Sequence, residues 1–200
     1  MRIDLSEQLI HLTRGDRLAD AESSFRSIFK EKALRGSGMG IRGGHKVVCF
    51  SEAPVGVLAQ LFSRPGHDFR YRPFGVMVPK AWLFALGGRP VIYQPETEFD
   101  TLPTALQYRH VRFDTPGGNK DFTFEREWRI NTDALQLDPA TCTLIVPDRE
   151  WDYRLRQEHD EHDMKRASSA GFGPFTRMTN YPWHVLALGD LGAAFPINDD

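Results

Sequence analysis

The amino-acid sequence predicts an α+β fold built around two packed sheets. Strand-like runs outnumber helical patterns, and the helices precede and interrupt the strands rather than alternating with them. No G-x-G-x-x-G follows a strand predicted from the sequence, so a Rossmann turn is not expected. A length of 200 residues with 40% hydrophobic content fits a single domain spanning residues 1–200. Strands are predicted near residues 9–13, 46–51, 74–79, 90–94, 108–113, 122–131, 142–147 and 184–188, and helices near 22–35, 55–62, 79–86 and 149–169.

The N-terminal elements carry polar side chains at regular spacing. If residues 9–13 form a strand, His11 and Thr13 lie on one face and could bind the same ligand. A helical pattern then ends at Gly36. The glycine-rich loop that follows contains Arg42, and the next strand carries Ser51 shortly before a proline.

Residues 64–72 interleave arginines with aromatic side chains. Such side chains can stack on nucleic-acid bases and contact phosphates. The alternative is an exposed loop whose aromatic side chains are tucked inward. The residues that would contact a nucleic acid here are Phe69, Arg70, Tyr71 and Arg72.

Residues 122–130 place two carboxylates two positions apart in a run that reads as a strand. Glu125 and Glu127 are therefore expected on one face, with Phe124, Trp128 and Ile130 on the other. Two like charges held together raise the pKa of at least one carboxyl unless a cation compensates. The alternative is an outer polar face whose charges are solvated or paired with a neighbouring strand.

A cluster of turn-forming residues, 114–120, leads directly into this acidic strand. Its glycines can adopt backbone angles closed to most residues, and loops on a rigid scaffold commonly contact substrate. Lys120 is the candidate contact in this loop. The alternative is an ordinary hairpin.

The helical segment near the C-terminus offers a competing metal hypothesis. His159 and His162 would be neighbours on a helix within a run of four acids. Zinc usually needs a third protein ligand with ordered partners, and the basic residues on either side indicate a solvated face. No metal site is therefore predicted.

Composition points to an intracellular chain. The sequence contains no apolar run of membrane-spanning length and no charged-then-apolar leader, so a cytoplasmic location without membrane association is expected. Cys49 and Cys142 are then expected to be reduced thiols. The net charge of −2 argues against a generally basic nucleic-acid binder, although the first hundred residues carry 14 Lys and Arg against 11 Asp and Glu.

Four short segments, taken in order over about residues 9–130, resemble the ADP-ribosyltransferase superfamily. The resemblance is strongest to the DarT-type nucleic-acid ADP-ribosyltransferases and to AbiGi-type phage-defence proteins. It rests on His11-x-Thr13, on residues 47–54, on residues 76–82 with 87–93, and on Glu125-Arg126-Glu127. The resemblance implies a split two-sheet core with peripheral helices, and a toxin or phage-defence transferase.

The resemblance also implies NAD as the donor substrate, a DNA or RNA base as the acceptor, and a possible antitoxin or regulatory partner. Glu127 would be the catalytic glutamate beside the ribose, and Glu125 would face the acceptor. The NAD-binding residues would be His11, Thr13, Ser51 and an arginine, which is either Arg42 or Arg35. Arg42 is preferred because glycines flank it.

Two further hypotheses remain open from the sequence. The chain could be a binding module that keeps the fold while Arg126 and Arg129 neutralise its acids, or it could be a simple NAD hydrolase. The observation that separates a site from a scaffold is whether one pocket connects Glu127, His11 and Ser51.

Overall fold

The computed structural model describes residues 6–63, 71–113, 123–169 and 180–193. These residues form a mixed α and β fold with short 3₁₀ turns between the longer elements. The helices are α1 (Leu18–Glu31), α2 (Val55–Phe62), α3 (Lys80–Ala85) and α4 (Arg149–Ser169). The strands are β1 (Gln8–Arg14), β2 (Ala33–Arg35), β3 (Val47–Ser51), β4 (Tyr71–Pro79), β5 (Arg89–Pro90), β6 (Ile92–Gln94), β7 (His110–Arg112), β8 (Glu127–Asn131), β9 (Ala134–Gln136), β10 (Thr143–Val146) and β11 (His184–Ala187).

Seven strands form one large, mostly antiparallel sheet in the order β11-β10-β4-β1-β3-β8-β5. The pairing of β10 with β11 is parallel. Strands β2 and β9 form a separate two-stranded sheet, as do β6 and β7. The mixed, strand-rich class predicted from the sequence is confirmed, but the described strands give one large sheet and two small ones where two packed sheets were expected.

The large sheet has a narrow junction between β1 and β3. Strand β1 pairs with β4 at six positions, and β3 pairs with β8 at five. Between β1 and β3, in contrast, the register joins one pair of residues, Ile10 and Ser51. The sheet therefore consists of two halves that meet over a short length.

The two faces of the sheet pack against different helices, because successive side chains of a strand point in opposite directions. Leu9 belongs to a core cluster that includes Phe25 of α1 and Leu155 of α4. Ile10 belongs to a second cluster that includes Leu58 of α2. Both clusters reach β1, so its backbone and its junction with β3 are fixed from both sides.

Helix α1 begins earlier and ends earlier than the predicted range of 22–35. It buries Ala21, Phe25 and Ile28, which lie on one face at helical spacing. Lys32 ends it with a left-handed backbone at φ 52°, and residues 33–35 become strand β2. The prediction that the helix continues to Gly36 is wrong, because a lysine takes the left-handed position that glycine usually occupies.

Candidate functional site

A cavity of about 590 Å³ opens at the junction of β1 and β3 and extends to α1 and β2. Ligand-binding sites commonly have volumes of this order. One end, here called the acid end, is lined by Ser51, Tyr71, Glu125 and Glu127. The wall includes His11 and Thr13, and the other end, here called the helix end, is lined by side chains that include Ser27, Glu31, Arg35 and Met39.

The two carboxylates reach the acid end from different backbone structures. Glu125 ends a 3₁₀ turn (Thr123–Glu125), and Glu127 is the first residue of β8. Arg126, between them, has a left-handed backbone at φ 46°. The predicted strand over 122–131 is therefore wrong for residues 123–126, and residue 122 lies outside the described residues. Both acids still line one cavity, because the turn at Arg126 changes the direction of the chain between them.

Ser51 holds this turn in place. Its Oγ donates a hydrogen bond to the backbone carbonyl of Glu125 at 2.7 Å, and it accepts one from the backbone N–H of Ala53 at 3.1 Å. The backbone N–H of Glu52 also donates to the Glu125 carbonyl at 3.2 Å. Ser51 thus acts on Glu125 through the backbone as well as lining the cavity.

Glu127 is fixed by an ion pair with Arg129 of the same strand. Arg129 Nε lies 2.8 Å from Glu127 Oε1, and Nη2 lies 3.3 Å from Oε2. Arg129 is buried, and its Nη1 donates to the carbonyls of Tyr108 and His110, both at 2.9 Å. The backbone N–H of Glu127 donates to the Tyr93 hydroxyl at 3.0 Å. These bonds leave the carboxylate with a fixed orientation at the cavity wall.

Glu125 has a different electrostatic environment. Its Oε2 accepts a hydrogen bond from the Tyr71 hydroxyl at 3.2 Å, and Arg14 donates to the same hydroxyl. Burial raises the pKa of Glu125 and the charge of Glu127 raises it further, while Tyr71 and Arg14 oppose the shift. The pair of acids therefore consists of one ion-paired carboxylate and one carboxyl with a raised pKa.

His11 and Thr13 line the wall but already make structural hydrogen bonds. His11 Nδ1 lies 2.8 Å from the carbonyl of Cys49 on β3, so this ring bridges the two halves of the sheet. Burial lowers the pKa of His11, which favours the neutral ring with the proton on Nδ1. Thr13 is buried, and its hydroxyl donates to the Phe74 carbonyl at 3.1 Å. Each side chain can still offer an acceptor, through His11 Nε2 or Thr13 Oγ1.

The cavity also contains Cys49, whose pKa is raised to about 12 by burial and by the charge of Glu127. A thiol with this pKa is protonated and a weak nucleophile. Cys49 and Cys142 are both free thiols.

The structure separates the two arginines proposed for NAD binding. Arg42 Nη1 lies 2.6 Å from Glu96 Oε1, and the guanidinium stacks on the Phe99 ring at 3.8 Å. Arg42 is not among the residues that line the cavity, whereas Arg35 is, at the helix end, where it pairs with Glu31 at 2.8 Å. The assignment to Arg42 stays a prediction, and proximity to the cavity favours Arg35.

The residues proposed for acceptor contact are only partly within the described ranges. Phe69, Arg70 and Lys120 lie outside them, as does the loop of residues 114–120. Tyr71 lines the acid end of the cavity. Arg72 donates to the backbone carbonyls of Gly15 at 3.1 Å and Asp16 at 2.6 Å, so its guanidinium holds the connection between β1 and α1.

Sequence reasoning missed Arg14 and gave Tyr71 a different role. Alternation along β1 places residue 14 on the face opposite His11, so nothing in the pattern indicated a site residue. The cavity is lined by every residue from Ile10 to Arg14, so both faces of β1 reach it here, beside a shift in the register of β1 against β4 between Leu12 and Arg14. A one-residue irregularity of this kind has no signature in the sequence.

The histidine-rich part of α4 forms local contacts instead of a metal site. His159 Nε2 lies 3.8 Å from Asp163 Oδ2, and the ring meets Tyr181 edge-on with the centroids 5.5 Å apart. Within the described ranges, no group of three or more His, Cys, Asp or Glu side chains is placed to hold a metal ion. In the same ranges, no helix combines the length and apolarity needed to cross a membrane.

No model of a known protein family, no curated protein and no solved structure matches this chain.

Proposed function

We propose that this protein is an NAD-dependent ADP-ribosyltransferase that modifies a base of DNA or RNA and serves as a toxin or phage-defence effector. The observation that carries the proposal is the single cavity lined by His11, Ser51, Glu125 and Glu127. These residues come from three separated segments of the chain. A merely solvated polar face would not bring them together around one cavity.

The narrow junction of the sheet supports the same proposal. The halves β11-β10-β4-β1 and β3-β8-β5 meet at Ile10 and Ser51, and the cavity lies at that point. A split core of this kind is what the resemblance to ADP-ribosyltransferases implies. A volume of about 590 Å³ with carboxylates at one end and Arg35 near the other suits a ligand that has a cationic group at one end and an anionic group further along its length.

Bound NAD would supply an activated ribose whose bond to nicotinamide breaks with both electrons leaving on the nicotinamide. In this proposal Glu127 lies beside the ribose and stabilises the positive charge that develops there. Its fixed orientation, set by Arg129, means that little reorganisation is needed when that charge appears.

Glu125 takes the proton that the acceptor nitrogen or oxygen loses as its bond to the ribose forms. A general base works best when its pKa is near the working pH, and burial moves the pKa of Glu125 in that direction. In this proposal Glu127 therefore acts on the donor, NAD, and Glu125 acts on the acceptor.

A second function is favoured by one specific observation. The Glu127 carboxylate is already paired with Arg129, which is itself held by two backbone carbonyls. A carboxylate neutralised in this way stabilises a developing positive charge less strongly. The second candidate is therefore a regulatory module that binds NAD at the same cavity without turning it over.

The variant Glu127→Gln tests the catalytic assignment, and Glu52→Gln is its matched control. Both glutamates have side chains 13% exposed and both are in ion pairs at 2.8 Å, Glu127 with Arg129 and Glu52 with Lys80. Glu52 does not line the cavity. We expect Glu127→Gln to lower the rate of NAD turnover by about 10²–10³-fold, because an amide cannot neutralise the developing charge.

The control should lose stability and keep its turnover. If both variants turn over labelled NAD at the wild-type rate, Glu127 is not catalytic. If Glu127→Gln differs from wild type only in melting temperature, the ion pair with Arg129 is structural.

The acceptor is identified by mass spectrometry of DNA, RNA and protein after incubation with isotopically labelled NAD. Label on a nucleic-acid base supports the proposed transferase. Label found only in free ADP-ribose would identify a hydrolase. Retained NAD binding without any consumption would identify the regulatory module.

A further inference from the structure

Three side chains at the acid end form a chain of hydrogen bonds. Arg14 Nη2 donates to the hydroxyl oxygen of Tyr71, and that hydroxyl donates to Glu125 Oε2 at 3.2 Å. Arg14 can only donate, because a guanidinium has no acceptor, so the Tyr71 oxygen receives from it, and the Tyr71 hydroxyl is the donor to Glu125 whenever Glu125 is ionised. The tyrosine proton is thereby directed at Glu125.

The backbone fixes the relative positions of Arg14 and Tyr71. They are register partners on the neighbouring strands β1 and β4, at the point where the register of β1 shifts. The Arg14 guanidinium also lies over the Tyr71 ring, 4.5 Å from its centroid. The Arg14 guanidinium therefore contacts both the hydroxyl and the ring of Tyr71 in the absence of any ligand.

The charged and titratable groups around Glu125 act in opposite directions. Glu127 of β8 and the burial of the site favour the neutral carboxyl, and Arg14 of β1, Tyr71 of β4 and Arg129 of β8 favour the carboxylate. Tyr93 of β6 also interacts electrostatically with Glu125. Burial raises the pKa of Tyr71, so its hydroxyl keeps the proton that it donates.

We propose that Tyr71, held in place by Arg14, is a positioning residue that orients the Glu125 carboxyl and sets the pH range over which it exchanges a proton with the acceptor. The catalytic half of this statement rests on the proposed transferase function. The electrostatic half, that the Tyr71 hydroxyl sets the ionisation of Glu125, does not depend on it.

The variant Tyr71→Phe removes the hydroxyl and keeps the ring that packs on Arg14. The hydroxyl stabilises the carboxylate form of Glu125, so its loss should move the titration midpoint of Glu125 to higher pH. The measurement is carbon-13 NMR of the full-length protein labelled at glutamate carboxyl carbons. The Glu125 signal is assigned by its absence in Glu125→Gln.

Two further variants give the titration a control and a second expected shift. Tyr181→Phe is the matched control, because the Tyr181 hydroxyl is buried, lies outside the cavity and has no hydrogen-bond partner among the described residues. We expect it to leave the Glu125 midpoint unchanged. Adding Arg14→Met to Tyr71→Phe removes the nearby positive charge as well, so the midpoint should move further in the same direction.

The kinetic test uses the same variants with labelled NAD and the acceptor found above. In Tyr71→Phe the acidic limb of the pH profile for transfer should move to higher pH together with the NMR midpoint. The kcat for transfer should fall by no more than about 10²-fold, because Glu125 itself is retained and losing a general base completely costs about 10²–10⁴-fold. The KM for NAD should be unchanged. A purely structural role of Tyr71 would move neither the midpoint nor the pH profile.

Each experimental outcome tests a different part of the inference. An unchanged Glu125 midpoint in Tyr71→Phe overturns the inference. A shifted midpoint with wild-type kcat and pH profile overturns the role of Tyr71 in transfer. Absence of turnover in the wild type overturns the proposed transferase, and the NMR titration still decides the electrostatic half.

Discussion

The imidazole of His11 lies at the short junction between β1 and β3, where its Nδ1 forms a hydrogen bond with the backbone carbonyl of Cys49 on β3. Burial lowers the pKa of His11 from its ordinary value of 6.5, and the bond to Cys49 opposes the shift only in part. Protonation therefore costs free energy in the folded protein that it does not cost in the unfolded chain. The protonation state of this one side chain therefore couples the solution pH to the stability of the junction between the two halves of the sheet.

This arrangement predicts a pH-dependent loss of stability on the acidic side. Above pH 6.5 the ring is neutral in both states; as the pH falls, the unfolded chain takes up the proton first. The free energy of unfolding should then decline by up to about 1.4 kcal/mol per pH unit until the folded pKa is reached. Urea unfolding of the wild type between pH 7.5 and 5 would measure this slope.

The variant His11→Gln keeps a polar side chain and removes the titration, so its stability should fall less steeply below pH 6.5. His162→Gln, at an exposed position on α4, should follow the wild type. Parallel curves for the wild type and His11→Gln would contradict the prediction.

At the scale of the elements, the alternation of side chains along a strand was predicted correctly from the sequence, but two left-handed backbone turns were not. Trp128 and Ile130 are buried in the core while Glu127 lines the cavity, as the period of two predicts. Glu125 lies instead in a 3₁₀ turn, because Arg126 adopts a left-handed backbone that no glycine or asparagine signals. Helix α1 ends at Lys32 for a similar reason. Such positions are imposed by tertiary packing, which local sequence does not encode.

The left-handed turn predicts different effects for two substitutions at Arg126. Arg126→Gly should retain more stability and more transfer than Arg126→Val, because both variants lose the arginine side chain but only glycine adopts positive φ without steric cost. Arg126→Val should lower the free energy of unfolding by about 1 kcal/mol or more and reduce transfer more than NAD binding, because a β-branched residue disfavours this conformation and Glu125 would move. Both variants remove the same charge. Equal behaviour in urea unfolding and turnover would show that the backbone conformation is irrelevant.

At the scale of the whole molecule, the site forms where two sheet halves and a helix meet. From the order of the short segments along the chain, His11, Ser51 and the two acids were predicted to belong to one site, and all four line the cavity. The helix end could not be predicted, since it depends on the pairing of β2 with β9, a contact between residues about 100 positions apart in sequence. Long-range pairing of very short strands leaves almost no local pattern.

A single bulky residue at the helix end should therefore block ligand binding at a distance from the acids. Ser27 lines the cavity from α1, whereas Ser23, one turn earlier on the same helix, does not. Both serines are exposed, so tryptophan at either position should be tolerated by the fold. In the wild type, NAD at 100 times its Kd should raise the free energy of unfolding by about 2.7 kcal/mol.

We expect Ser27→Trp to abolish this stabilisation by NAD and Ser23→Trp to retain it, as measured by urea unfolding with and without NAD. The ligand must extend from the acid end past α1 for this difference to appear, so the pair of variants tests the whole length of the cavity. Equal stabilisation of both variants would show that NAD does not reach the helix end. Stabilisation of neither variant nor wild type would show that NAD does not bind the folded protein.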